Sequence, residues 1–186
     1  MIVEYRIDAL DVLVEAGQGW ATYAHANHGP ELVPPPLGRS LWSFMAGDEV
    51  TEVWRQLVRR ARSGPVAPRV RVRCDAPAER RWFDITLTAD EDAAVRFRSV
   101  LIGEQARPVV PLVDLVARRD PDAPLVAVCS WCARFRSVRG WIPVEDFVAD
   151  HDLLERSTLP GMSHTICPSC EARVFGDLGQ ADAPLG

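Results

Sequence analysis

The spacing of apolar and polar positions changes several times along this 186-residue chain, and each change predicts a new element. Residues 2–7 and 11–14 are short runs containing β-branched side chains, with Gly17 and Gly19 following as turn signals, so one or two opening strands are predicted. The period then lengthens. Trp20, Tyr23, Ala24 and Asn27 share one helical face, and Asn27-His28-Gly29-Pro30 ends that helix. Pro34, Pro35 and Pro36 stiffen the next loop, and residues 38–44 lead into a second short helix. Asp48 is placed as the N-cap of the strongest helix. There Val50, Val53, Trp54, Leu57 and Val58 form a buried stripe, and Arg55, Arg59, Arg60 and Arg62 gather toward the C-terminal end.

After Gly64-Pro65 the period shortens to two. Val70, Val72 and Cys74 alternate with arginines, Phe83, Ile85 and Leu87 alternate with polar residues, and residues 95–102 give a third run. Their short polar connections permit hairpins, so the prediction is three strands of an antiparallel sheet. Residues 107–124 hold four prolines and read as a linker. The chain therefore divides into a domain at 1–106, the linker, a cysteine module at 125–175 and a disordered tail at 176–186. Within the module a strand is predicted at 125–128, a short helix at Val144–Asp150 and a last turn of helix at 171–175.

The module carries the chemistry. Cys129 and Cys132 form one Cys-x2-Cys pair and Cys167 and Cys170 a second, so four of the five cysteines fall here. Each pair puts two thiolates on one tight turn, and two such turns supply the four soft ligands of a closed tetrahedral zinc site. A module of about 50 residues buries too little apolar surface to fold easily alone. Structural zinc, bound with about 10–16 kcal/mol in zinc-finger peptides, makes up that deficit. The cofactor expected is zinc, with His164 as a supporting group beside the ligands. The alternative is a thiol-based redox sensor, because vicinal thiols of lowered pKa are oxidant-sensitive. A third reading, nucleic-acid binding, draws on Arg134, Arg136 and Arg139 interleaved with aromatics.

A second candidate site is the space between sheet and helices, faced by Trp20, Tyr23, Phe44, Trp54, Phe83, Ile85 and Phe97. Aromatics bury about 150–250 Å² each, so these are expected to fill a core and leave no room for a tightly bound chromophore, haem or flavin. The same positions are where a small-molecule ligand would sit.

Composition narrows the function classes. The net charge of −5 argues against a general nucleic-acid binder. Residues Arg69 and Arg71 are expected to pair across strands with residues such as Asp84. No apolar run approaches the roughly 18 residues of a membrane span, and residues 1–6 lack a signal-peptide pattern, so a reducing cytoplasm is expected. No hydrolase, metalloprotease or phosphate-loop motif is present, and no enzyme is expected.

Strand, short helices, one longer helix and then an antiparallel sheet is the order of elements in a PAS domain. The stretches Trp20 to Asn27, Leu37-Gly38-Arg39-Ser40-Leu41-Trp42-Ser43-Phe44 and Arg73-Cys74-Asp75-Ala76-Pro77 resemble small bacterial PAS-like domains. The tail, with Val128-Cys129-Ser130-Trp131-Cys132, Trp141, Pro143, Glu145 and Ser163-His164-Thr165-Ile166-Cys167-Pro168-Ser169-Cys170, resembles the cysteine-pair segment appended to PAS and response-regulator proteins. Two departures stand out: Thr165 where glycine is expected, and an insertion at 155–162. The resemblance implies an α+β fold, with a PAS-like antiparallel sheet carrying helices on one face and a small zinc-ribbon-like module after it. It implies a sensory or regulatory role in signal transduction, through a partner protein of a signalling pathway or a homodimer.

Overall fold

The computed structural model describes residues 1–17, 19–27, 29–76, 78–109, 122–153 and 160–180. Within them the fold is mixed α+β, with two sheets and four α-helices. The first sheet has the order β2-β1-β5-β4-β3, from β1 (Ile2–Ile7), β2 (Leu13–Ala16), β3 (Arg69–Arg73), β4 (Glu79–Ala89) and β5 (Val95–Ala106). Every neighbouring pair is antiparallel. Helices α1 (Gly19–Ala26) and α2 (Asp48–Ser63) lie in sequence between β2 and β3.

Alternation decides which face each strand buries. In β3, Val70 and Val72 point into the core while Arg69 and Arg71 stay outside and bond the Asp84 carboxylate at 2.6 and 2.8 Å. Val50, Val53, Leu57, Val58 and Ala61 of α2 meet Phe83, Leu87, Val95 and Phe97 in one cluster. The opening strands are not separate from the three later ones: β1 pairs with β5 along its whole length, Ile2 opposite Val100 and Ile7 opposite Val95.

Three expectations need correction. Asp48 does not cap α2; Gly47, at φ 89°, holds the cap position and Asp48 is the first helical residue. Phe44 is not in the core. It ends a 3-10 turn at Leu41–Phe44, is 38 % exposed, and carries the Arg39 guanidinium 4.4 Å from its ring centre. The last helix is not one turn. It runs Pro168–Gln180 (α4), into the segment expected to be disordered, and residues 181–186 lie outside the described residues.

The second sheet has the order β8-β7-β6-β9, from β6 (Val126–Cys129), β7 (Phe135–Ser137), β8 (Gly140–Ile142) and β9 (Met162–Thr165). Helix α3 (Val144–Asp150) packs Val144, Phe147 and Val148 onto Val128 and Phe135. The β7–β8 hairpin has three-residue strands, too short for alternation to register.

The two sheets share a core. Trp131, 3 % exposed, stacks on Trp54 of α2 with ring centres 5.4 Å apart, and Cys129, Ile166, Cys167, Cys170 and Val174 continue the cluster that α2 forms with the first sheet. The Arg73 amide donates to the Trp131 carbonyl at 2.8 Å. Thr165 donates its hydroxyl to Glu49. At the far end Arg80 and Arg107 each donate to Glu145 at 3.2 Å; the Arg107 side chain is 1 % exposed and also reaches Asp75 at 3.1 Å. Removing one partner of such a buried pair costs about 3–5 kcal/mol. Of the expected linker, residues 110–121 lie outside the described residues.

Gly47 sits where α2 meets β9. A Cβ there would run into the His164 carbonyl, on top of the strain of a positive φ. Gly140 also has a positive φ, 97°, but nothing within 4 Å of the Cβ position. Gly140→Ala is expected to lose only the backbone term, about 1–3 kcal/mol, and Gly47→Ala clearly more. Urea denaturation of both variants measures the difference, and equal losses would mean that the close approach to His164 carries no weight.

Candidate metal centre

Parallel pairing of β6 with β9 sets Val128 opposite His164 and Cys129 opposite Thr165, so the two cysteine turns leave adjacent strands side by side. In the first turn Ala133 donates its amide to the Cys129 carbonyl at 2.9 Å and takes a left-handed φ of 54°. In the second the Cys170 and Glu171 amides both donate to the Cys167 carbonyl at 2.9 Å, and the chain passes straight into α4. Pro168 opens that helix, where a missing N–H costs nothing. The Ser130 amide, donating to the Thr165 carbonyl at 2.9 Å, ties the turns together.

The four thiol sulfurs of Cys129, Cys132, Cys167 and Cys170 all lie within 4.8 Å of one another. Cys132 and Cys167 are 3.8 Å apart, far beyond the roughly 2.05 Å of a disulfide, and all four are free. An ion with metal–sulfur bonds of about 2.3 Å places its tetrahedral sulfurs about 3.8 Å apart. The donor set and its spacing therefore suit a thiophilic metal ion in a closed site. Cys129, Cys167 and Cys170 are buried and Cys132 is partly exposed.

Electrostatics agree with that use. A hydrogen bond from Cys132 pulls the Cys129 thiol down to about 4, and the same bond pushes Cys132 up. The Cys167 amide, donating to Cys129 Sγ at 3.3 Å, adds to the pull. Burial pushes Cys170 up to about 11. Thiols this close hold their protons against one another's charge unless a cation takes the protons' place. Arg173, one turn along α4, donates to Cys170 Sγ at 3.0 Å and offsets part of the sulfur charge.

His164 is not one of the clustered ligands. It lies exposed on β9 with its Nδ1 3.3 Å from Ser130 Oγ, so it touches the first cysteine turn and no sulfur. Arg173 was missed by the sequence reading, although its spacing of three from Cys170 on a helix was a usable signal.

The other candidate set divides. Trp20, Tyr23, Phe83 and Ile85 line an apolar pocket of about 230 Å³ between α1 and the sheet. Phe97 is buried apart from it, stacked on Tyr5 at 4.6 Å, and Trp54 is engaged by Trp131. The aromatics leave space because Trp20 is tethered to the Leu32 carbonyl at 2.8 Å and Trp54 packs elsewhere. The volume is smaller than the roughly 300–1,000 Å³ of ordinary ligand sites. Tyr5 and Cys74 also line it, and the Tyr23 hydroxyl lies 2.6 Å from Cys74 Sγ. Burial, then Cys74, pushes the Tyr23 hydroxyl well above its ordinary range. Alternation in β1, with Val3, Tyr5 and Ile7 on one side, was the signal for Tyr5.

Among the described residues no helix is long and apolar enough to cross a membrane. No family model matches the chain, and no curated protein or solved structure matches it.

Protein purified without added metal is expected to carry one metal ion per chain by elemental analysis. The ion should survive in Cys74→Ala and His164→Ala and disappear in Cys129→Ala. Retention in Cys129→Ala, or loss in His164→Ala, would assign the ligands differently.

Proposed function

We propose that this chain is a cytoplasmic PAS-like sensory or regulatory protein that acts through protein–protein contact, with a structural zinc held by Cys129, Cys132, Cys167 and Cys170. The observation that carries the PAS-like part is the order of elements. Two strands, short helices, the long α2 and three further antiparallel strands follow one another as the resemblance implies, and all five strands belong to one sheet with α1 and α2 packed on it. Zinc is preferred because a closed four-thiolate tetrahedron has no open position for substrate and suits an ion with no redox chemistry of its own. On this reading residues 1–106 perceive or relay a signal, and the described residues of 125–175 form a metal-held surface beside α2. The site does no catalysis.

One observation favours a redox reading as the second choice. Cys132 is partly exposed and its sulfur is 3.8 Å from that of Cys167, so an oxidant reaching Cys132 would find a resolving thiolate at hand.

Chelation separates the two. Stripping the metal under reducing conditions is expected to unfold residues 126–153 and 160–175 and, because Trp131 covers Trp54, to raise amide exchange in α2 as well. Exchange unchanged in both regions would overturn the structural role. Reversible disulfide formation with zinc release at a physiological glutathione poise would favour the redox sensor. For the protein-contact part, cross-linking in the source cells should recover a defined protein with the native chain and lose it with Cys129→Ala; recovery of nucleic acid instead would overturn it.

A further inference from the structure

The groove between α2 and the β7–β8 hairpin is a feature that the metal centre leaves unused. It encloses about 740 Å³ and is walled by α2 on one side, the hairpin on another and the start of α4 on a third. Both parts of the chain are thus needed to form it. Trp141 and Phe175 are partly buried against the common core and give it an apolar lining. Val138, at the hairpin tip on the groove's rim, is the most exposed large apolar residue described.

Charge distinguishes the groove from an ordinary apolar cleft. Glu49, Glu52 and Glu171 line it against Arg136 alone, so carboxylates outnumber guanidinium groups three to one. Phosphate-bearing partners, whether nucleic acid or anionic lipid, are repelled by that excess, whereas lysine and arginine side chains are drawn in. The carboxylates are not locked away. Glu52 pairs with Arg59 at 2.7 Å, but both side chains are about half exposed, and exposed pairs are worth about 0–1 kcal/mol, so an incoming cation displaces Arg59 at little cost. Glu49 accepts only from the Thr165 hydroxyl among the bonds described, which leaves oxygen lone pairs to share.

We infer that this groove is the docking site for a partner-protein segment that carries lysine or arginine beside an apolar side chain, the cations meeting Glu49, Glu52 and Glu171 and the apolar group entering between Trp141 and Phe175. The inference rests on the protein-contact reading above and specifies the chemistry of its partner. Metal release would open the groove, because the hairpin and α4 that wall it leave the same four-sulfur cluster. Docking is therefore conditional on the loaded centre.

A displayed random-peptide library panned against the metal-loaded full chain tests this. Selected peptides should share lysine or arginine next to an aromatic or branched apolar residue. Their affinity should fall about tenfold or more in Glu52→Lys/Glu171→Lys, a variant checked to retain its metal, and again after chelation. An acidic variant of a selected peptide should bind the charge-reversed protein better than it binds the native one. Peptides unaffected by the reversal would move the contact to another surface, overturning the groove while leaving the protein-contact reading intact. An acidic consensus, or no enrichment, would overturn the groove's specificity. Concentration-dependent dimerisation abolished by the same reversal would replace the partner segment with a second copy of the chain. Failure of the native chain to cross-link any protein in cells, with peptide binding as expected, would instead count against the broader reading.

Discussion

Four cysteine sulfurs confined within 4.8 Å of one another impose an electrostatic condition that the rest of the C-terminal part has to meet. As thiols they hold protons unevenly, with Cys129 low and Cys132 high; as thiolates they repel one another and need a cation among them. Once that cation is granted, both turns are fixed in position, and with them the strand that precedes each. Trp131 lies between the first pair and has no freedom left except to cover whatever faces it. What faces it is Trp54, on the same helix that fills the larger sheet.

This arrangement answers a size problem. A module of about 50 residues exposes too much of its surface to be stable on apolar burial alone. A metal ion in the four-cysteine cluster would supply one remedy, and the neighbouring helix supplies a second, because α2 lends its own apolar stripe to Trp131, Ile166 and Val174. Three polar devices hold the two surfaces in register: the Arg73 amide on the Trp131 carbonyl, the Thr165 hydroxyl on Glu49, and Arg80 with Arg107 on Glu145. Thr165 stands where a glycine is expected, and its hydroxyl reaches across to α2. A glycine there could not make that bond.

Much of the first sheet was legible because its side chains repeat. The stripe of α2, the alternation of β3 to β5, and the pairing of Arg69 and Arg71 with Asp84 are all short-range patterns. The metal cluster was legible because ligand identity and spacing are written directly in the chain. The pairing of β1 with β5 joins residues 88 to 98 positions apart, and the parallel pairing of β6 with β9 joins residues 36 positions apart; neither leaves a periodic trace. Its size points Phe44 inward, whereas the Arg39 guanidinium over its ring lets it remain at the surface. Trp54, on the stripe of α2, meets both Phe97 and Trp131, and the sequence neighbourhood of Trp131 speaks of metal ligation and not of packing.

The shared core has a consequence for how the protein is made. A ribosome completes Trp54 more than a hundred residues before Cys170, which at about 5–20 residues per second is on the order of ten seconds. Once β5 has ended at Ala106, the sheet and α2 lack their cover for the rest of that interval, and an indole with its neighbouring aliphatic groups faces the crowded exit of the ribosome. Nascent chains of this protein are consequently most adhesive just before their last cysteines appear. If the four cysteines take a metal ion as proposed, its supply at that moment would govern how soon the surface closes, and the yield of native protein would follow metal availability during synthesis rather than only afterwards.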